Sequence, residues 1–126
     1  MSELLSQLKY TKEHEWILVD GDTAKVGITD FAQSELGEIV YIELPEVGSN
    51  FNANDAACVI ESTKAASDVY CPIVGVVESV NLELQNSPDL VNSSPYEQGW
   101  LFSLTNINLD SAALMSYDEY KALVGS

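Results

Sequence analysis

Short apolar runs broken by turn residues dominate the chain, a pattern that predicts a mainly β protein. Trp16–Val19 reads as a strand and Ala24–Ile28 as its return. Asp20-Gly21-Asp22 joins them, because Asp-Gly tolerates the positive φ of a tight hairpin. Gly37–Leu44 reads as a long strand with Val40, Ile42 and Leu44 on one face, ended by Pro45. Ala57–Glu61 and Val69–Tyr70 are two short strands around a central segment, Ser62–Asp68. Val74–Leu84 is the longest strand expected, alternating with Val80, Leu82 and Leu84 on one face and Ser79, Asn81 and Glu83 on the other. Trp100–Leu104 is a late strand.

Three short helices are expected between and after these strands. Asp30 caps the first, with Gln33 reaching back and Gly37 beyond its end. Ser87 caps the second, with Pro88 in the first helical position. Ser116 and Glu119 form a capping box for the last, which carries Tyr117, Tyr120, Leu123 and Val124 on one stripe and is stopped by Gly125. So short a helix is unstable alone and should dock on the β structure. Residues 1–126 read as one domain, a small β-sandwich or flattened barrel with peripheral helices.

Of the 126 residues, 46% are apolar, enough for a core, and the 9% aromatic share argues against a disordered acidic tail. The balance of 20 acidic against 5 basic residues gives a net charge of −15. Such a surface repels phosphate backbones and anionic lipid headgroups, so neither nucleic acid nor membrane is an expected partner. Basic faces of other proteins are the complement, although charge that only keeps the chain soluble would look the same. Met1–Leu8 lacks the features of a secretory signal or transit peptide, and no stretch has the length of a membrane span. A cytoplasmic location is therefore expected.

Cys58 and Cys71 are too few for a zinc site, and His14 is a poor supplement. Both thiols read as small reduced core residues. If the chain reverses at Lys64–Ala65, they would lie opposite each other across a hairpin. His14 could be read as a general base, but it has no identifiable partner nucleophile and reads as a surface or turn residue. Trp16 and Trp100 read as packing, and the isolated glycines as backbone devices. No metal site and no catalytic residue is predicted.

The informative stretch is Val59-Ile60-Glu61-Ser62-Thr63-Lys64-Ala65-Ala66-Ser67-Asp68-Val69, in which apolar strand residues flank a polar tip with one lysine near its centre. Small neighbours would let a modifying enzyme reach Lys64 while the strands hold it in place. Spacing alone leaves a solvated turn lysine as the ordinary reading. The residues also carry a resemblance, through Lys9-Tyr10-Thr11-Lys12-Glu13-His14-Glu15-Trp16, Val26-Gly27-Ile28-Thr29-Asp30-Phe31-Ala32-Gln33 and Leu36-Gly37-Glu38-Ile39-Val40-Tyr41-Ile42-Glu43-Leu44-Pro45. It continues through Glu61–Tyr70 and Asn92-Ser93-Ser94-Pro95-Tyr96-Glu97-Gln98-Gly99-Trp100. In these blocks, which occur in order along nearly the whole chain, the sequence resembles the H-proteins of the glycine cleavage system.

That resemblance implies a lipoyl-domain fold, a barrel-sandwich hybrid of two small sheets with short peripheral helices and a C-terminal helix. It implies lipoic acid in amide linkage to Lys64, with Glu61, Ser62, Thr63, Ala65 and Ala66 as the recognition residues around it. Glu15 and Asp68 are the residues placed to line a cleft for the loaded arm. The implied role is a non-catalytic, monomeric carrier. A PLP-dependent glycine decarboxylase (P-protein) loads it with an aminomethyl group. A tetrahydrofolate-dependent aminomethyltransferase (T-protein) unloads it, and dihydrolipoamide dehydrogenase (L-protein) reoxidises it. A lipoyl or octanoyl transferase or ligase installs the group. Thr63 stands where valine is common, and Cys71 and Ile73-Val74 depart from the usual run. A lipoyl relay to other proteins or an unmodified acidic binding module are the alternatives. A biotinyl carrier would have methionines flanking the lysine, where this chain has Thr63 and Ala65.

Overall fold

The computed structural model describes residues 7–108 and 114–124, so the expected stop at Gly125 lies outside the described residues. Two antiparallel sheets form the protein. The larger has β1 (Lys9–Tyr10), β2 (Glu15–Asp20), β3 (Thr23–Ile28), β9 (Phe102–Asn108), β8 (Val74–Val80) and β5 (Asn50–Phe51), in that order. The smaller has β4 (Ile39–Glu43), β6 (Ala56–Ser62) and β7 (Ala66–Tyr70). Ile17, Val26, Phe102 and Leu104 of the larger sheet pack with Ile39, Ile42, Ile60 and Val69 of the smaller in one core. Each such side chain contributes roughly 1.5–3 kcal/mol on burial. The predicted two-sheet, mainly β architecture is what forms.

Several boundaries differ from those expected, each for a local reason. β4 starts at Ile39, and its register against β6 shifts between Ile39 and Tyr41. This bulge puts Ile39 and Ile42 inside and leaves Val40 50% exposed, reversing the face predicted for Val40. β8 ends at Val80. Asn81 then turns inward, and its Nδ2 donates to the carbonyls of Gln98 at 2.7 Å and Trp100 at 2.8 Å. The predicted strand to Leu84 is thus replaced by a short helix, α2 (Glu83–Asn86), in which Leu84 is buried while Leu82 before it is 62% exposed. β7 is longer than the two residues expected, because its polar first half, Ala66-Ser67-Asp68, pairs fully with β6. The late strand begins at Phe102, not Trp100.

The helix caps also move. Thr29, not Asp30, caps α1 (Asp30–Leu36), accepting from Ala32 N at 3.2 Å; Gln33 does reach back, to Asp30 Oδ1 at 2.8 Å. Ser87 caps nothing with its side chain; α3 (Leu90–Ser93) begins after Asp89. The capping box of α4 (Tyr117–Val124) is present: Ser116 N donates to Glu119 Oε1 and Glu119 N to Ser116 Oγ. Tyr120 docks this helix on the larger sheet, its ring stacked on Tyr10 at 4.9 Å, whereas Leu123 of the predicted stripe is half exposed. No helix among the described residues is long and apolar enough to cross a membrane.

The cysteines do not face each other. Cys58 pairs with Val69, and a register shift between Ala56 and Cys58 carries Cys71 past the strand end. Both are buried free thiols, raised to about 12 chiefly by that burial. Trp16 packs flat over Gly27, where a Cβ would lie 2.5–2.7 Å from three indole atoms, and Trp16 Nε1 donates to Pro95 O. Gly27→Ala should therefore cost about 1–3 kcal/mol as the indole is forced aside. Urea denaturation with Trp16 fluorescence measures this, and an unchanged midpoint would mean the indole relocates freely.

Candidate functional site

The β6–β7 hairpin ends in a tight tip organised by one hydroxyl. Ser62 Oγ accepts from the backbone N–H groups of Lys64 and Ala65, both at 3.1 Å, and donates to Ala65 O at 3.1 Å. Ser62 N also donates to Ala65 O at 2.8 Å. Serine suits this position because its short side chain can close a turn on its own backbone. Thr63 N donates to Glu38 O at 3.0 Å, tying the tip to the chain just before β4. Thr63, Lys64, Ala65 and Ala66 are exposed, so no bulky group screens the lysine.

Below Lys64 lies Gly37, the C-cap of α1, with φ of 84°. A Cβ there would come within 3.0 Å of Lys64 Cε and 3.7 Å of Nζ. Glycine is suited twice over: it takes the left-handed backbone that ends the helix, and it leaves a trough for the lysine stem. A cleft of about 240 Å³ opens beside this trough. Leu36 and Phe31 of α1, His14, Glu15 and Ile28 of the larger sheet and its turn, and Ser67–Val69 of β7 all contribute to its lining. Of the residues predicted from sequence, Lys64 and its small neighbours are brought together at the tip, and Glu15 and Asp68 both line the cleft. Glu61 sits on β6 between Tyr41 and Ala66, exposed at the base of the tip.

Glu15 and Asp68 differ in environment. Asp68 is exposed. Glu15 is 2% exposed; Thr11 Oγ1 donates to its Oε1 at 2.9 Å and Tyr70 N to its Oε2 at 3.0 Å. His14, at φ 69° in its turn, is held by Tyr120, whose hydroxyl lies 2.8 Å from Nδ1 and 2.7 Å from Thr29 Oγ1. That connection ties α4 to the cleft wall, where Glu13, Glu15 and Glu35 line the same cleft as His14. Sequence reasoning did not assign Gly37 or Asn92 to the site, although both lie in the resemblance blocks. Among the described residues no cluster of three or more His, Cys, Asp or Glu could hold a metal ion.

Comparison with known proteins agrees over the whole chain. A family model described as "Glycine cleavage H-protein" matches residues 8–126. The glycine cleavage system H protein of Halalkalibacterium halodurans is 48% identical over 125 residues, covering 98% of each chain. That of Saccharophagus degradans is 48% identical over 128 residues, covering 100% of this chain and 98% of its own. The crystal structure of a glycine cleavage system H protein from Mycobacterium marinum superposes with a TM-score of 0.87 at 34% identity, covering 96% of this chain and 98% of that one.

The buried carboxyl makes a pH prediction. Burial, the larger cause, lifts Glu15 from 4.5 to about 7; the Thr11 and Tyr70 hydrogen bonds pull it down, and the Glu13 charge adds to the rise. The native state then holds a proton that the unfolded state has lost. Stability from this group is full below 4.5 and is lost as pH rises through about 7. The loss is about 3 kcal/mol for a displacement of this size. Burial lowers His14, which works in the opposite sense, so the Glu15 contribution is read as a difference. Between pH 5 and 8 the wild type should lose stability relative to Glu15→Gln. A gap in urea midpoints that stays constant with pH would show that Glu15 does not titrate there.

Proposed function

The chain belongs to the glycine cleavage H-protein family, and on that premise we propose that Lys64 is the residue through which it carries lipoic acid. The chain is a lipoyl carrier of the glycine cleavage system. The observation that carries the assignment to Lys64 is its placement: an exposed lysine on a rigid tip, flanked by small side chains, its stem over a trough that any Cβ at Gly37 would fill. Acylation at Nζ replaces an ammonium with a neutral amide, so no charge has to be re-paired at the tip.

Lipoic acid held on Lys64 would supply a redox-active dithiolane for aminomethyl transfer between the glycine decarboxylase and the aminomethyltransferase and for reoxidation by dihydrolipoamide dehydrogenase. This chain's residues position and protect. From the lysine Cα the arm reaches roughly 14–15 Å at ordinary bond lengths, enough to enter a docked enzyme or to turn back into the cleft beside it. Tethering keeps the cargo at high local concentration during each docking event. Glu61, Ser62, Thr63, Ala65 and Ala66 form the surface the attaching transferase or ligase reads, with Ser62 also closing the turn. Asp68 and Glu15, together with Glu13 and Glu35 of the same lining, give the cleft carboxylates that suit a cationic aminomethyl cargo, Glu15 in its ionised form. The reaction chemistry resides in the partners and their cofactors, so the carrier itself is non-catalytic. The proposal extends to a cytoplasmic monomer acting as one unit over residues 1–126.

Intact mass after expression with lipoate and a lipoyl ligase tests the assignment. One lipoyl adduct is expected, absent from Lys64→Arg. An adduct that survives the substitution refutes Lys64. A lipoylated chain that glycine decarboxylase fails to load would favour the relay reading.

A further inference from the structure

Asn92, half-buried on α3, makes three side-chain hydrogen bonds to the segment that supports the lysine. Its Nδ2 donates to Gly37 O at 2.9 Å and to Gln33 Oε1 at 2.8 Å, while its Oδ1 accepts from Ile39 N at 2.9 Å. Residues 37 and 39 are thereby pinned on either side of Glu38. The carbonyl of Glu38 receives Thr63 N–H, and Gly37 is the floor under the Lys64 stem. We infer that Asn92 is a positioning residue for modification of Lys64: it fixes the ledge of residues 37–39 on which the hairpin tip rests. The inference rests on the reading of Lys64 as the attachment site.

The chemistry requires a carboxamide. Helix α1 ends at Gly37 with carbonyls that its own turns cannot satisfy, and β4 begins two residues later with an N–H in need of an acceptor. One planar group offering two N–H donors and one oxygen meets both needs at once. Aspartate keeps the acceptor for Ile39 but sets an anion against Gly37 O. Alanine removes all three bonds. In either variant the strands β4, β6 and β7 keep their own ladder, so the change falls on the ledge and the tip.

The test compares Asn92→Ala and Asn92→Asp with Ser93→Ala, a control on the same short helix. Lipoylation of the apo chain by a purified lipoyl ligase with lipoate and ATP gives kcat and KM. Hydrogen exchange reads the Thr63 amide. Both Asn92 variants should lower kcat about tenfold with KM within about twofold, because docking is intact and the amine is misplaced. Thr63 exchange should accelerate about tenfold while the Ile60 and Val69 amides stay protected. Ser93→Ala should match wild type. Unchanged kcat and Thr63 protection overturn the inference. So does a rise in KM alone, which would place Asn92 in docking, and so does loss of folding or uniformly faster exchange in both variants, which would make it a fold determinant. Were the wild type not modified at Lys64, the functional reading would fall first, while Thr63 exchange would still confirm or overturn the ledge.

Discussion

Glu15 lies in the seam between the two sheets, and its two oxygens are shared between them. One takes the hydroxyl of Thr11, in the turn before β2; the other takes the N–H of Tyr70 on β7. β7 is an edge strand of the smaller sheet, and an uncovered edge is a place where sheets fray or pair wrongly. The carboxylate caps that edge and leaves the cleft beside it open. A carboxylate buried in such a seam is costly, and burial lifts Glu15 to about 7, favouring its neutral form. A positive group entering the cleft would relieve that cost. The same side chain therefore joins β2 and its preceding turn to β7 and lines the cleft, and a substitution there alters both.

The hairpin tip is closed by short-range contacts that leave the Lys64 side chain exposed. Ser62 closes the turn, Thr63 fastens it to Glu38, and Gly37 leaves room for the lysine stem. These contacts use backbone groups and small side chains, so nothing bulky stands between Lys64 and an approaching enzyme. The net charge of −15 acts at longer range than these contacts, and its complement is a basic surface.

Much of the fold was legible as hydrophobic pattern. The β2–β3 hairpin, the β6–β7 pair and the α4 capping box follow from local rules and appear at or near their predicted positions. The misses have two causes: a bulge or turn shifted the strand register, or a tertiary partner overrode a local preference. The bulge in β4 moved Val40 from inside to outside, and no period-2 reading can detect an extra residue. Asn81 broke the alternation of β8 because the carbonyls of Gln98 and Trp100, far along the chain, needed donors. Thr29 displaced Asp30 as the cap of α1 because its hydroxyl also meets Tyr120. The cysteines were misaligned by two positions, since the turn closes at Ser62–Ala65 and a register shift follows.

The site divides along the same line. Lys64 and its small neighbours stood out in one contiguous segment, yet spacing gave them no chemistry beyond a solvated turn; the family resemblance supplied the lipoyl reading. The support beneath Lys64 is assembled from residues distant in sequence, α1 through Gly37 and α3 through Asn92, and neither advertises itself by type. Asn81 and Asn92 act alike at two places, each using its carboxamide on backbone groups outside or at the edge of the regular elements. Where ordered ladders stop, the orphaned N–H and C=O groups must find partners. In a small two-sheet protein those ends are where the chain is free to build something other than sheet. The tip that bears Lys64 is one such end. Its precision comes from groups whose own purpose, taken locally, is only to finish a helix or begin a strand.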